Sequence, residues 1–116
     1  MYPKIIAVDF DGTLCLNKWP NIGKANRSII EWLKQERLNG TKLILWTCRT
    51  GEMLDQAVNW CEHRGLIFDA VNENLPESIE RFGSDCRKIF ADMYLDDKAV
   101  PICATEWISE EELNGE

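Results

Sequence analysis

The residues best suited to chemistry in this chain are aspartates. Asp9 and Asp11 flank Phe10 and run into Gly12-Thr13, and a second pair, Asp96-Asp97, stands far along the sequence. Carboxylates held close together raise one another's pKa and resist joint ionisation. A divalent cation resolves that conflict, and a shell made only of oxygens suits magnesium. Magnesium beside carboxylates and a hydroxyl points to phosphoryl chemistry, with an aspartate as covalent nucleophile. Gly12 lets the backbone come close to a phosphate. A Thr hydroxyl and a Lys or Arg can hold the outer oxygens as charge redistributes. Thr47, Arg49 and Lys88 are the candidates for those roles. Arg87 and Arg81 compete with Lys88, which lies nearest in sequence to the run that ends in Asp96. Thr47 could instead cap the following helix, although Thr50 is closer to it. Arg49 could be an ordinary loop residue.

These candidates stand just beyond or just before short apolar runs. Lys4–Phe10 reads as a central strand buried on both faces, closed by the turn residues Asp11-Gly12-Thr13. Residues 14–24, with Trp19-Pro20-Asn21 and Gly23, read as an irregular loop. Asn26–Leu38 reads as a helix, with Ile29, Ile30, Trp32 and Leu33 on or beside one face and Asn39-Gly40 as its stop. Thr41–Trp46 is a second buried strand. Glu52–Arg64 is a helix carrying Leu54, Ala57, Val58 and Cys61 at helical spacing, capped by Gly65. Leu66–Val71 is a third strand. Asn72–Arg87 is polar, with one helical turn at Pro76–Arg81. Ile89–Leu95 leads into a fourth strand ending in Asp96-Asp97, and Ala99–Cys103 is a short fifth. Ser109 and Glu112 form a capping box that opens a terminal helix.

Strands alternating with helices predict an α/β layer fold with a mostly parallel sheet. Ligands in such sheets bind beyond the carboxyl ends of the strands, where the strand order reverses. If the first and fourth strands are neighbours, up to four carboxylates share one crevice.

Composition sets the outer bounds. A length of 116 residues fits a single domain spanning 1–116, and 45% apolar residues suffice for a core. A net charge of −7 suits a protein that gathers a cation and argues against broad nucleic-acid binding. No apolar run reaches membrane-spanning length and no signal-peptide pattern opens the chain, so the expected location is cytoplasmic, with no membrane partner. Cys15, Cys48, Cys61, Cys86 and Cys103 are odd in number and widely spaced, which predicts free thiols rather than a disulfide framework or a zinc site. His63 reads as a surface residue.

The string Asp9-Phe10-Asp11-Gly12-Thr13 after an apolar strand resembles the first motif of the haloacid dehalogenase (HAD) superfamily of aspartate-nucleophile phosphohydrolases. Leu43–Thr47 resembles its second motif, Lys88 its third and Met93–Asp97 its fourth, all in order across residues 4–97. The resemblance implies a three-layer Rossmann-like sheet of strand order 5-4-1-2-3. It also implies roles. Asp9 would attack phosphorus and carry the aspartyl-phosphate, while Asp11 would protonate the leaving oxygen and then activate water. Asp9, the Asp11 carbonyl and Asp96 would hold magnesium. Asp97 would join that metal site by orienting Lys88 or a metal-bound water. Thr47 and Lys88 would bind the phosphoryl oxygens.

Thr47-x-Arg49 further resembles the phosphatase half of polynucleotide kinase–phosphatases, where such an Arg helps hold phosphate. A polynucleotide 3′-end phosphatase is therefore the alternative to a generic phosphomonoesterase. Residues 12–25 and 72–87 are too short to house a cap domain, so the site is expected to be capless and open to a phosphate on a large substrate. Trp19 and Trp46 flank the expected crevice, as stacking surfaces or as packing. Two non-enzymatic alternatives remain. One is a catalytically idle binding module of the same fold. The other is a phosphoryl-accepting receiver domain, for which Asp69 near the third strand is the sole candidate acceptor.

Overall fold

The computed structural model describes residues 2–100 and 109–115. Its centre is a four-stranded parallel sheet of β1 (Ile5–Val8), β4 (Lys42–Leu45), β5 (Ala70–Val71) and β6 (Met93–Leu95), in the order β5-β4-β1-β6. The chain is thus α/β, as expected. β1 is buried along its whole length, because side chains alternate between two covered faces. Ile6 and Val8 join Leu43 and Leu45 in one core, which α1 (Arg27–Leu38) and α2 (Gly51–His63) close with Ile30, Leu33, Ala57 and Cys61. Ile5, Ala7 and Ile44 face the other way, against Leu75 and Ile89 of the segment around α3 (Pro76–Phe82).

Strands β1, β4 and β6 fall inside the runs read as strands. The fifth strand expected at 99–103 lies mostly outside the described residues. The third is shorter than expected. Only Ala70 and Val71 pair as a strand, because Asp69 takes over the start of the ladder with its side chain. The helical turn expected at Pro76–Arg81 extends to Phe82. The terminal helix is α4 (Glu110–Asn114), with the Ser109 hydroxyl accepting from the Glu112 N–H as a capping box requires.

The connection expected to be an irregular loop is instead an antiparallel hairpin, β2 (Cys15–Lys18) with β3 (Asn21–Ala25). Pro20 and Gly23 have the character of breakers. Pro20 sits in the turn, after a cis peptide bond with Trp19, where no ladder hydrogen bond is demanded of it. Gly23 lies where a Cβ would meet the Leu16 backbone and the Lys18 side chain, so the bare residue permits the close pairing. Asn26 then caps α1 by accepting from the Ile29 N–H, and its side-chain amide donates to the Thr13 carbonyl, which ties the hairpin base to the helix start.

Candidate functional site

The strand order reverses between β1 and β6. The chain visits β1, then β4 and β5 on one side, and returns to β6 on the other. The carboxyl ends of β1 and β6 therefore open onto a shared crevice, which is where a ligand fits in sheets of this kind. Asp9 follows β1 directly, its N–H donating to the Leu95 carbonyl at 2.9 Å, and Asp96-Asp97 follow β6. Carboxylate oxygens of Asp9, Asp96 and Asp97 all lie within 4.8 Å of one another. Beside them a cavity of about 310 Å³ is lined by Asp9, Trp46, Thr47, Cys48, Asn72 and Asp96.

The electrostatics follow from this crowding. Partial burial is the main force pushing the Asp9 carboxyl up to about 6. The Phe10 N–H works against it, and the Asp96 and Asp97 charges add to it. Burial also opposes ionisation of Asp97, but hydrogen bonds from Lys98 and from Asp9 outweigh it and hold Asp97 below the usual carboxylate range. Lys98 Nζ lies 3.2 Å from Asp97 Oδ2 and is held above the usual ammonium value by that contact. A cluster of three carboxylates whose oxygens lie this close, one of them resisting ionisation, could hold a hard divalent cation. The donors are oxygens only, the ligand type that hard divalent cations take alongside water.

Gly12 sits with φ 88°, and a Cβ there would collide with the Asp97 carboxylate. The close backbone approach expected for a phosphate is made by Asp97, and the glycine lets the loop after β1 come against the loop after β6. Thr47 lines the crevice as expected, its N–H donating to Asn72 Oδ1 at 2.8 Å and its hydroxyl accepting from the Arg49 N–H at 3.2 Å.

Three candidates stand elsewhere than expected. The Asp11 carboxylate is not part of the acidic cluster, because it is bound at both oxygens by Arg49. Arg49 is neither a loose loop residue nor a free phosphate binder. Its side chain is buried, with both ends of its fork occupied. Lys88 does not line the crevice. It is exposed, with Nζ 5.7 Å from the centre of the Tyr94 ring, and the lysine that reaches Asp97 is Lys98. The loop before Lys88 is held by buried Asn74, whose amide donates to Asp85 and the Cys86 carbonyl while its oxygen accepts from the Phe90 N–H.

Asn72 and Lys98 also belong to the site, although sequence patterning does not single them out. Asn72 has φ 55° and directly follows β5, so its place at a strand's carboxyl end is the available signal. Lys98 is marked only as the neighbour of Asp97. Of the two tryptophans, Trp46 lines the crevice and Trp19 stands exposed at the hairpin turn. Among the described residues, Cys15, Cys48, Cys61 and Cys86 are free thiols and no helix is long and apolar enough to cross a membrane.

No family model and no curated protein matches the chain. The fold is similar to the solved structure of a conserved protein from Bacteroides thetaiotaomicron, with 42% sequence identity and a TM-score of 0.74 over 85% of this chain and 79% of that one. Identity of that order over most of both chains reflects common descent as well as a common fold, and this chain belongs to the same family as the conserved Bacteroides thetaiotaomicron protein.

Proposed function

We propose that this protein is a magnesium-dependent phosphomonoester hydrolase of the HAD type, acting through an aspartyl-phosphate on Asp9. The observation that carries the proposal is the meeting of Asp9, Asp96 and Asp97 at the strand-order reversal, next to a crevice that also holds Thr47. The finer sheet order 5-4-1-2-3 is part of the same proposal.

Each residue has a task that its chemistry can perform. Asp9, Asp96 and the Asp11 carbonyl would hold magnesium, with Asp97 completing the anionic wall. When bound, the cation neutralises the acids and draws charge from the phosphoryl oxygens. Asp9 is the nucleophile, since its oxygen is the one that emerges directly from the central strand. In the first step its oxygen forms the bond to phosphorus as the bond to the leaving oxygen breaks, and Asp11 delivers a proton to that leaving oxygen. In the second step Asp11 takes a proton from water, which attacks phosphorus and releases Asp9. The Thr47 hydroxyl binds an outer phosphoryl oxygen. Lys88, which stands outside the crevice in this structure, is proposed for another.

Among the described residues no cap domain covers the crevice. The connection between β1 and α1 is a hairpin, and that between β5 and β6 holds only α3. This suits a phosphate projecting from a larger body. The 3′-end phosphatase alternative rests on Arg49 reaching phosphate, and that guanidinium is engaged with Asp11. The receiver alternative rests on Asp69, whose carboxylate accepts the Leu43 N–H away from the crevice. These contacts favour the generic hydrolase. Its test is release of phosphate from an aryl phosphate with and without magnesium, beside Asp9→Asn. Magnesium-dependent turnover that vanishes in Asp9→Asn is expected. Equal turnover in both proteins would overturn the covalent mechanism, and no turnover in either would overturn the hydrolase.

A further inference from the structure

One side chain joins the hairpin to the acid loop. Arg49, on the connection from β4 to α2, is only 2% exposed. Its Nε donates to Asp11 Oδ2 at 2.8 Å and its Nη2 to Asp11 Oδ1 at 2.7 Å. The other edge of the guanidinium donates to two carbonyls at the hairpin turn, Pro20 at 3.2 Å and Asn21 at 3.1 Å. Its plane lies near the Phe10 ring, 5.1 Å from the centroid. A fork filled by a carboxylate on one edge and by peptide carbonyls on the other has no edge left for a two-point phosphate contact. Stability alone is a weak reason for such a group, because an apolar pair of similar volume commonly does as well in a buried place.

We propose that Arg49 is a positioning residue that sets the plane of the Asp11 carboxylate and fastens the turn of the β2–β3 hairpin to it. The two-point contact uses one lone pair on each Asp11 oxygen. The other lone pair on each stays free to take up a proton, which the resulting O–H can later give back, while rotation about the side chain is blocked. A lysine would supply a single contact and leave that rotation open. The catalytic half of this inference rests on the acid–base role proposed for Asp11. The hairpin half does not.

The experiment has two arms. In the first, Arg49→Lys and Arg49→Met are compared with wild type on an aryl phosphate with magnesium. Misplacing a proton-transfer group is expected to lower kcat by about 10–100-fold and to change KM by less than about 3-fold. Because Arg49 acts through Asp11, the double variant Asp11→Asn/Arg49→Met is expected to be no slower than Asp11→Asn alone. This double variant also removes both partners of the ion pair together, so no unpaired charge is left behind. A KM raised by about 10-fold with kcat retained would instead make Arg49 a phosphate ligand. A double variant about 10-fold slower than Asp11→Asn would make its role independent of Asp11.

The second arm needs no turnover. Amide hydrogen exchange across residues 15–25 is expected to speed up by about 10-fold or more in Arg49→Met and in the double variant, and to stay at the wild-type rate in Asp9→Asn. Unchanged exchange would overturn the fastening of the hairpin. If the wild-type protein hydrolyses nothing, the hydrolase reading and the catalytic half fall together, while the exchange measurement still decides the hairpin half.

Discussion

Aspartates stand at both ends of the same sheet, and the two ends treat them in opposite ways. At the amino end, Asp92 precedes β6; its Oδ2 accepts the Ile5 N–H at 2.7 Å and its own N–H donates to the Ile5 carbonyl at 2.8 Å. Asp69 precedes β5 and makes the same pair of contacts with Leu43, both at 2.8 Å. Arg37 and Lys42 also lie beside Asp69, at 3.1 and 3.9 Å. Each of these carboxylates extends a parallel ladder by one step, with a side-chain oxygen replacing a backbone one. At the carboxyl end, Asp9, Asp96 and Asp97 face one another, and among the described residues the one side-chain cation paired with them is Lys98. A carboxylate that accepts a buried N–H contributes to the fold. Carboxylates that face each other cost stability until something positive arrives. Residue type is the same at both ends, so the partner set is what separates an acid that builds from an acid that reacts.

Removing one acid from each end puts this contrast under the greatest strain. Asp9→Asn is expected to lower turnover of an aryl phosphate by more than about 10³-fold, since an amide cannot serve as the nucleophile. Asp92→Ala, assayed where it is still folded, is expected to stay within about 3-fold of wild type, because it touches no reacting group. Comparable losses in both would erase the distinction between the two ends.

Metal addition tests the same division without turnover. Magnesium at 100 times its dissociation constant should raise unfolding stability by about 2.7 kcal/mol in wild type, read as a shift in Tm. The shift should vanish in Asp96→Asn and persist in Asp69→Ala. A shift that survives in Asp96→Asn would place the cation elsewhere.

The amino-end acids should show themselves in stability. Asp92→Ala leaves the Ile5 N–H without its acceptor and is expected to cost about 2 kcal/mol in urea unfolding. Asp69→Ala should cost a similar amount through Leu43, with little added by its exposed ion pairs. Neither loss should depend on magnesium.

The smallest effect concerns pH in the metal-free protein. The Asp9 carboxyl is held up to about 6 in the fold, against an ordinary value of 3.8. As pH rises, the unfolded chain releases that proton first, so metal-free stability should fall between about pH 4 and pH 6. Discounted for solvent screening at a partly exposed site, the loss is about 1 kcal/mol at pH 7, and Asp9→Asn should recover it. Below about pH 4 the two proteins should unfold together. A wild-type protein that gains stability over that interval relative to Asp9→Asn would mean that Asp9 has a cationic partner instead of acidic neighbours.

Much of the site is legible in the amino-acid sequence. Apolar runs ending in Asp9 and Asp96 mark strands whose carboxyl ends open on one edge, and local patterning is enough to read that. Asp69 and Asp92 are harder to read, because a period of two does not say whether a residue at a strand's start turns to solvent or to a neighbouring backbone. The hairpin at 15–25 escapes sequence patterning for a related reason. Its Pro and Gly look like breakers one at a time, and they become acceptable only when the partner strand spares the proline a hydrogen bond and fills the space beside the glycine.

The order of residues suffices for the alternation of strand and helix, the burial of β1, and the placing of acids just beyond two strand ends. These follow from short-range patterning, in which each residue's role depends on neighbours a few positions away. The partners come from the tertiary arrangement: Arg49 on Asp11 across 38 positions, Lys98 rather than Lys88 on Asp97, Asp92 on Ile5 across 87. Charged and hydrogen-bonding side chains act over a few ångströms in directions that depend on where distant segments meet, and no local pattern in the chain carries that information.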